Sequence, residues 1–505
     1  MNRSLVWFRN DLRIFDHEPL RRAIEASATQ GGSGPGAVVC LYCFDERQWA
    51  NTSFGFPKTG VHRTRFLRES VEDLREQIRG LGGELIVRHG RCEEVIGDLI
   101  QDLSISSVFY HQEIGTEERR IERSVQAVCQ KASIPSQSDH GVTLFHPGEL
   151  PFSIVELPEL FTHFRKQVEK SSTHRAPLPA PTMIPCQLPV DFSVGSIPSA
   201  EALFGDDFVA SGNVAKMSDI GRRQYTGGET AGLDRLDEYF WRNDRLRVYK
   251  VTRNGMLNVD DSSKLSLWLA NGCLSPRTIA AEVKRYEDER LANQSTYWMS
   301  FELLWRDYFH FIAAKHGSRL FQVGGIQERR LPWGKDVGLF NAWKEGQTGY
   351  PLVDANMREL AATGYMSNRG RQNVGSFLCK NLGIDWRMGA EWFESQLIDY
   401  APASNYGNWN YVAGVGNDAR GFRFFNITKQ SRDYDEDGSY VRYWLPELSH
   451  VTTCKVHEPW TMTTHQQSSF NVIIGHDYPA PIVDLFASAK DNEQKYHEFD
   501  RNEST

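Results

Sequence analysis

A chain of 505 residues is several times the usual length of one domain, so two or more packed units are expected. With 40% hydrophobic and 24% charged residues, and no apolar run near the ~18 residues a membrane span needs, an integral membrane helix and wholesale disorder are excluded. The net charge of −8 argues against coating nucleic acid through bulk positive charge, which neutralises many phosphates, yet leaves room for a local basic groove.

Met1-Asn2-Arg3-Ser4 leads straight into the strand-like Leu5-Val6-Trp7-Phe8, with no apolar leader, cleavage site or Arg/Ser-rich presequence. The expectation is an intracellular protein, of cytoplasm or nucleus, with no membrane partner. Strands are expected at Ser4–Arg9, Ala37–Phe44, Glu84–His89, Ser107–His111 and Val142–Phe145, and helices at Glu18–Ser27, Val61–Gly80, Glu93–Leu103 and Thr116–Lys131. Short apolar runs alternating with amphipathic helices predict a doubly wound parallel α/β domain over residues 1–145. No phosphate fingerprint accompanies it: Gly31-Gly32-Ser33-Gly34-Pro35-Gly36 precedes a strand instead of following one. Cys40-Leu41-Tyr42-Cys43 lies inside an apolar strand and reads as buried thiols, and eight scattered cysteines make no disulfide framework.

Six prolines between Ser171 and Ala200 mark an interdomain connector, placed at 146–211. Beyond it the strand pattern stops, and an all-helical domain is expected over 212–487, followed by a polar tail over 488–505. Ser275-Pro276 supplies a cap and a first-turn proline for a helix through Arg290, while Gly272 closes the helix before it. Of the 13 tryptophans, 11 lie after residue 240.

Four segments of the helical half could carry chemistry. Asp261-Ser262-Ser263-Lys264-Leu265-Ser266 opens a short helix, whose start is either an ordinary cap or a phosphate cradle. Trp298, Glu302, Trp305 and Arg306 share one helical face, which reads either as a core stripe with an internal ion pair or as a wall around a polar ligand. Asn368, Arg371 and Gln372 share another face, either solvated or suited to reading the edge of a heterocycle. The stretch from Ile384-Asp385-Trp386-Arg387 to Asp399, Asn405, Trp409 and Tyr411 mixes apolar helix with isolated polar residues, as a wall against a planar ligand does. Gly414-Val415-Gly416-Asn417-Asp418 follows no predicted strand and carries little weight as a phosphate loop. There is no HExxH, no paired C-x-x-C and no tight His/Asp cluster, so no metal site is expected.

In their order, these segments resemble the photolyase/cryptochrome flavoproteins, specifically the DASH branch. The likeness runs from Val6-Trp7-Phe8-Arg9-Asn10-Asp11-Leu12-Arg13 to Trp444-Leu445-Pro446-Glu447-Leu448. Its most specific matches are Tyr249-Lys250 with Thr252-Arg253-Asn254-Gly255-Met256, Phe301–Phe309, Val353–Leu360 and Met366–Gln372. The resemblance implies that the helical domain binds a folded FAD. Ser262, Ser263, Leu265 and Ser266, with Tyr249 nearby, would hold its phosphates; Asn368, Arg371, Asp399 and Asn405 would line the flavin ring, with Glu302 and Arg306 also in the cofactor set. Trp409, Trp386 and Trp333 match the family's electron-transfer triad. Ala401 departs from the pattern, which usually has Asp there, and Ala419 and Tyr406 differ from common choices.

For the substrate, the resemblance implies that Glu302, Trp305, Asn368, Gln372 and Tyr411 meet a cyclobutane pyrimidine dimer, with Arg253, Arg369 and Arg423 near DNA phosphates. The implied enzyme is a deoxyribodipyrimidine photolyase, a carbon–carbon lyase. The implied mechanism is donation of an electron by excited FADH⁻, splitting of the cyclobutane ring, and return of the electron. Single-stranded DNA is the expected partner, where the cost of extruding a base is already small. A monomer is expected. Glu113 matches a contact to an antenna pterin, 5,10-methenyltetrahydrofolate. The alternative reading is a blue-light photoreceptor that signals through photoreduction along the same tryptophans.

Overall fold

The computed structural model describes residues 3–29, 36–205, 225–418 and 421–503. The glycine-rich 30–35, the expected domain boundary at 212 and Ala419 lie outside the described residues. The chain forms two compact units: the first comprises Met1–Lys250, Ser263–Gly317 and Ile398–Ala403, and the second Val251–Ser262, Ser318–Leu397 and Ser404–Thr505.

Unit one is built on a parallel five-stranded sheet in the order β3-β2-β1-β4-β5. The strands are β1 (Arg3–Phe8), β2 (Ala37–Phe44), β3 (Leu85–His89), β4 (Ile105–His111) and β5 (Ser136–Asp139). Every residue of β2 is buried, because a strand covered on both faces has no solvent side to alternate with. Four helices wrap the sheet: α1 (Glu18–Thr29), α2 (Val61–Gly80), α3 (Cys92–Asp102) and α4 (Thr116–Lys131). Leu5, Trp7, Leu41, Ile86 and Tyr110 pack against Ile96 and Leu99 of α3 and Val125 of α4.

The fifth strand corrects the expected one. Val142–Phe145 forms bends, and the polar Ser136–Asp139 pairs with Val108–His111 instead. An edge strand needs few apolar side chains. The apolar run owes its burial to another tether: the Asp307 carboxylate accepts the backbone N–H groups of Leu144 and Phe145, both at 2.9 Å.

Unit one continues through α5 (Phe161–Ser171), α6 (Ser266–Ala270), α7 (Pro276–Glu289) and α8 (Gln294–His316). Ser275 caps α7, its hydroxyl accepting from Arg277 N, with Pro276 in the first turn. Buried charges join this helical part to the loop after β1. Arg277 donates to Asp16 at 2.9 Å, Ser275 also bonds Asp16, and Arg13 donates to Gly272 O at 2.9 Å. Glu229 accepts the N–H groups of Ile14 and Phe15 at 2.9 and 3.1 Å. Gly272 has φ +66°, and a Cβ there would lie 2.0 Å from Asn10 O, so both conformation and space require glycine.

Unit two contains α9 (Pro351–Thr363), α10 (Asn368–Ser376), α11 (Trp386–Gln396), most of α12 (Pro402–Ala413) and α13 (Leu485–Glu503). Ser367 caps α10 by accepting Gly370 N, and α10 runs on into a wider helical turn, Phe377–Asn381. Asp354, fully buried on α9, accepts from Thr348 N and Oγ1, Gly349 N and the Tyr478 hydroxyl at 2.5–3.0 Å. Among the described residues no strand follows Asp139, and no helix is long and apolar enough to cross a membrane.

Candidate functional site

The serine-rich segment is two pieces, a 3-10 turn at Val259–Asp261 that belongs to unit two and the five-residue α6 that belongs to unit one. Ser263 and Leu265 are buried and precede α6, and Lys264 takes φ +61°. Ser266 is exposed, and its hydroxyl donates to Asp399 Oδ2 at 2.7 Å. A hydroxyl and a carboxylate of the candidate set are thus brought together. Tyr249 is buried, edge-on to Tyr239 at 6.4 Å. Ala401 is half-buried and offers no polar group.

On α8 the four residues of the expected face take different parts. Arg306 donates to the carbonyls of Val142 and Leu269 (3.3 Å for the latter), and burial pushes its pKa down to about 10. It therefore acts as a strut between segments. Trp305 has one face stacked on Phe161, centroids 3.6 Å apart and 13° from parallel. Trp298 stacks on Phe301 at 4.6 Å and lies 4.5 Å beneath Lys250 Nζ. Glu302 is half-buried between them in sequence.

Glu113, just past β4, accepts from Asn10 Nδ2 at 3.1 Å, and burial holds its carboxyl above the ordinary range. Burial and the nearby Glu113 push Glu118 up to about 7. A cluster unforeseen in the sequence lies at the same strand ends and corrects the expectation of no tight His/Asp group. Asp11 Oδ2 accepts from His17 Nε2 at 2.9 Å and His111 Nδ1 at 2.7 Å. The two rings hold Asp11 well below the usual carboxylate range, and burial pushes His111 down to about 4. His17 Nδ1 accepts Leu20 N, and Asp11 Oδ1 accepts Arg9 N, so the cluster serves the backbone around it.

In unit two, α10 carries the amide and guanidinium groups. Asn368 is exposed at its start; Arg371 is half-buried and its Nε donates to Met366 O at 2.9 Å. Arg369 donates to Gln372 Oε1 at 3.0 Å and to Asn254 Oδ1 at 3.4 Å, and lies 4.3 Å over the Tyr434 ring. Because Gln372 gives its oxygen to Arg369, its NH₂ group is the end left to meet a ligand. Ser262, Arg253 and Tyr411 are half-buried and Arg423 is exposed.

Asn405 on α12 donates through Nδ2 to Ala390 O at 3.0 Å, which fixes its amide and turns the oxygen, an acceptor, the other way. Trp409 is buried, with Phe393 at 5.1 Å and Trp343 at 6.4 Å, both edge-on. Trp386 is fully buried, donates to Val323 O at 3.0 Å and lies 6.1 Å from Tyr406. Trp333 is half-buried. The residue after it, Gly334, bonds Gly383 O and Asp385 N, which lead directly into Trp386.

Sequence reasoning missed the residues that shape these positions. A Cβ at Gly389 would lie 2.3 Å from Trp409 Cη2, so this glycine forms the slot for the indole's edge, whereas Gly375 stands at an ordinary contact distance from the same ring. Asn373 on α10 is fully buried, and both its side-chain polar atoms lack partners among the described residues. A glycine in mid-helix was the available signal for the slot; Asn373 left none.

Comparison with known proteins finds two family matches. The family described as DNA photolyase matches residues 4–182, and the FAD binding domain of DNA photolyase matches 298–498. A cryptochrome DASH of Gloeobacter violaceus is 57% identical over 98% of this chain and 95% of its own length. The solved structure of a Synechocystis cryptochrome superposes with a TM-score of 0.91 at 48% identity, covering 98% of this chain and 99% of that one. A bacterial class III photolyase from Agrobacterium tumefaciens superposes at 0.83 with 28% identity, over 99% of this chain and 98% of its own.

Proposed function

We propose that this chain, which belongs to the DNA photolyase family and to its cryptochrome DASH branch, is a blue-light-driven lyase that splits cyclobutane pyrimidine dimers, best in single-stranded DNA. The observation that carries this reading is α10, where Arg369 holds the oxygen of Gln372 and so orients its NH₂ group, beside the exposed Asn368. An NH₂ group held in this way donates to the carbonyls of an extruded base, which is what a dimer outside the stack presents.

The residues present suit FAD. Hydroxyls at Ser262 and Ser263 offer donors to phosphate, and that of Ser266 does so once it leaves Asp399, while Arg371, Asp399, Asn368 and the acceptor oxygen of Asn405 complement a ring edge that both donates and accepts. The orphaned amide of Asn373 supports a polar ligand as well, since buried amides normally find partners. When bound and reduced, FAD supplies the reversible one-electron chemistry that breaks the two cyclobutane bonds.

The remaining work falls to this chain's side chains. Trp305, its ring fixed by Phe161, and Tyr411 give the extruded dimer aromatic walls. Glu302 meets a pyrimidine carbonyl of the dimer, to which a carboxyl can donate a hydrogen bond only when it is protonated. Arg253, Arg369 and Arg423 meet phosphates flanking the lesion. Trp409, Trp386 and Trp333 form the relay that brings the cofactor to its reduced form. Glu113 contacts an antenna pterin of the 5,10-methenyltetrahydrofolate kind.

The test is repair of a single thymine dimer in single-stranded and duplex oligonucleotides, by fully reduced protein under blue light with a dark control. Light-dependent repair, faster on the single strand, is expected. No repair by protein with confirmed reduced FAD would overturn the lyase reading in favour of a blue-light receptor.

A further inference from the structure

Asn356 sits in the middle of α9 and is fully buried. Its Nδ2 donates to Leu352 O, one turn back, at 2.7 Å, and lies 4.0 Å from Met256 Sδ. Its Oδ1 has no hydrogen-bond donor among the described residues. That oxygen faces Gly370 of α10: a Cβ built on Gly370 would lie 1.8 Å from Oδ1 and 2.8 Å from Cγ. Gly370 lies within α10 and is not among the glycines with positive φ, so the backbone does not need glycine there; the space does.

Two unfavourable choices therefore meet at one contact. A glycine inside a helix is a poorer helix former than alanine, and a buried carbonyl without a donor forfeits its hydration. Packing alone is better served by small apolar residues at both positions. What the contact achieves is placement. Asn356 touches α10, which bears Asn368, Arg369, Arg371 and Gln372, and also Met256, at the end of the loop that bears Arg253 and Asn254. Those two elements are joined again by Arg369 and Asn254.

We propose that Asn356, keyed to the bare backbone of Gly370, is a positioning residue of the substrate site. It sets the spacing of Arg369 and Gln372 on α10 from Arg253 on the loop, and so matches an extruded dimer to the phosphates beside it. The identity of the ligand rests on the function proposed above; the contact and its coupling do not.

The test is a double-mutant cycle on the FAD-loaded full chain with G370A, N356A and the pair. Affinity is read by fluorescence anisotropy on a single-stranded oligonucleotide carrying one thymine dimer, and thermal unfolding is read in parallel. G370A is expected to weaken binding roughly tenfold, the scale of coupling between groups in contact, and N356A/G370A to recover most of it because the new methyl enters the vacated space. Additive losses, or G370A binding like wild type, overturn the proposal. So does recovery of melting temperature without recovery of affinity, since that is what a purely structural contact would show. Should G370A not fold, N356A alone decides: severalfold weaker binding at unchanged melting temperature supports the proposal, and unchanged affinity overturns it. If wild type shows no preference for the dimer, the lyase reading falls, and the same cycle is read on undamaged single strand through the contacts of Arg253 and Arg369.

Discussion

Trp409 shows what a single residue can require of its neighbours. Its indole edge fits against Gly389 so closely that one methyl group would force it aside. G389A is therefore expected to slow photoreduction of oxidised FAD severalfold, with Trp409→Phe as the reference for a broken relay. Transient absorption after a blue flash measures both, and an unchanged rate in Trp409→Phe would remove Trp409 from the relay. His111 makes a second prediction at this scale. Burial holds it down to about 4 in the folded chain, against an ordinary value near 6.5 when unfolded. Between those values the unfolded chain binds the extra proton, so folding stability falls as pH drops from about 6.5 to about 4. Urea unfolding midpoints at pH 7 and pH 5 should show that loss, and H111N, which keeps a donor toward Asp11, should flatten the slope.

At the scale of elements, strands buried on both faces were plain in the sequence because they are unbroken apolar runs, as Ala37–Phe44 is. Helices α2 and α4 begin and end where periodicity and charge place them. β5 was hidden because Ser136–Asp139 has no apolar signal at all, whereas Val142–Phe145 has one for a different reason. That reason is testable. Asp307→Ala leaves two buried N–H groups without an acceptor and should cost about 3 kcal/mol, read from the urea midpoint. The pairing of Asp11 with His17 and His111 was equally invisible, since Asp11 and His111 lie 100 positions apart. The segments of the candidate site were legible as polar residues on aromatic helical faces, and their assignment came from the family resemblance. Gly389 and Gly370 were visible in the sequence only as glycines within helices; that they make room for Trp409 and Asn356 shows once a side chain is built onto them.

For the whole molecule, a net charge of −8 and three arginines assigned to phosphates predict a modest electrostatic share in binding. The logarithm of Kd for a single strand should rise with the logarithm of salt concentration with a slope of about 2. Anisotropy titrations between low and moderate salt measure it, and a slope above about 5 would mean a basic tract far larger than Arg253, Arg369 and Arg423. The discontinuous make-up of unit one has a consequence for how the protein is made. Its sheet can form as soon as the first third of the chain has left the ribosome, but Asp16 is buried against Arg277, 261 positions later. At ordinary elongation rates that partner follows roughly 13 to 52 s behind. A nascent chain halted before residue 277 is thus expected to carry a formed sheet whose Arg13 and Asp16 still face water, open to proteases and chaperones until the rest of the message is read.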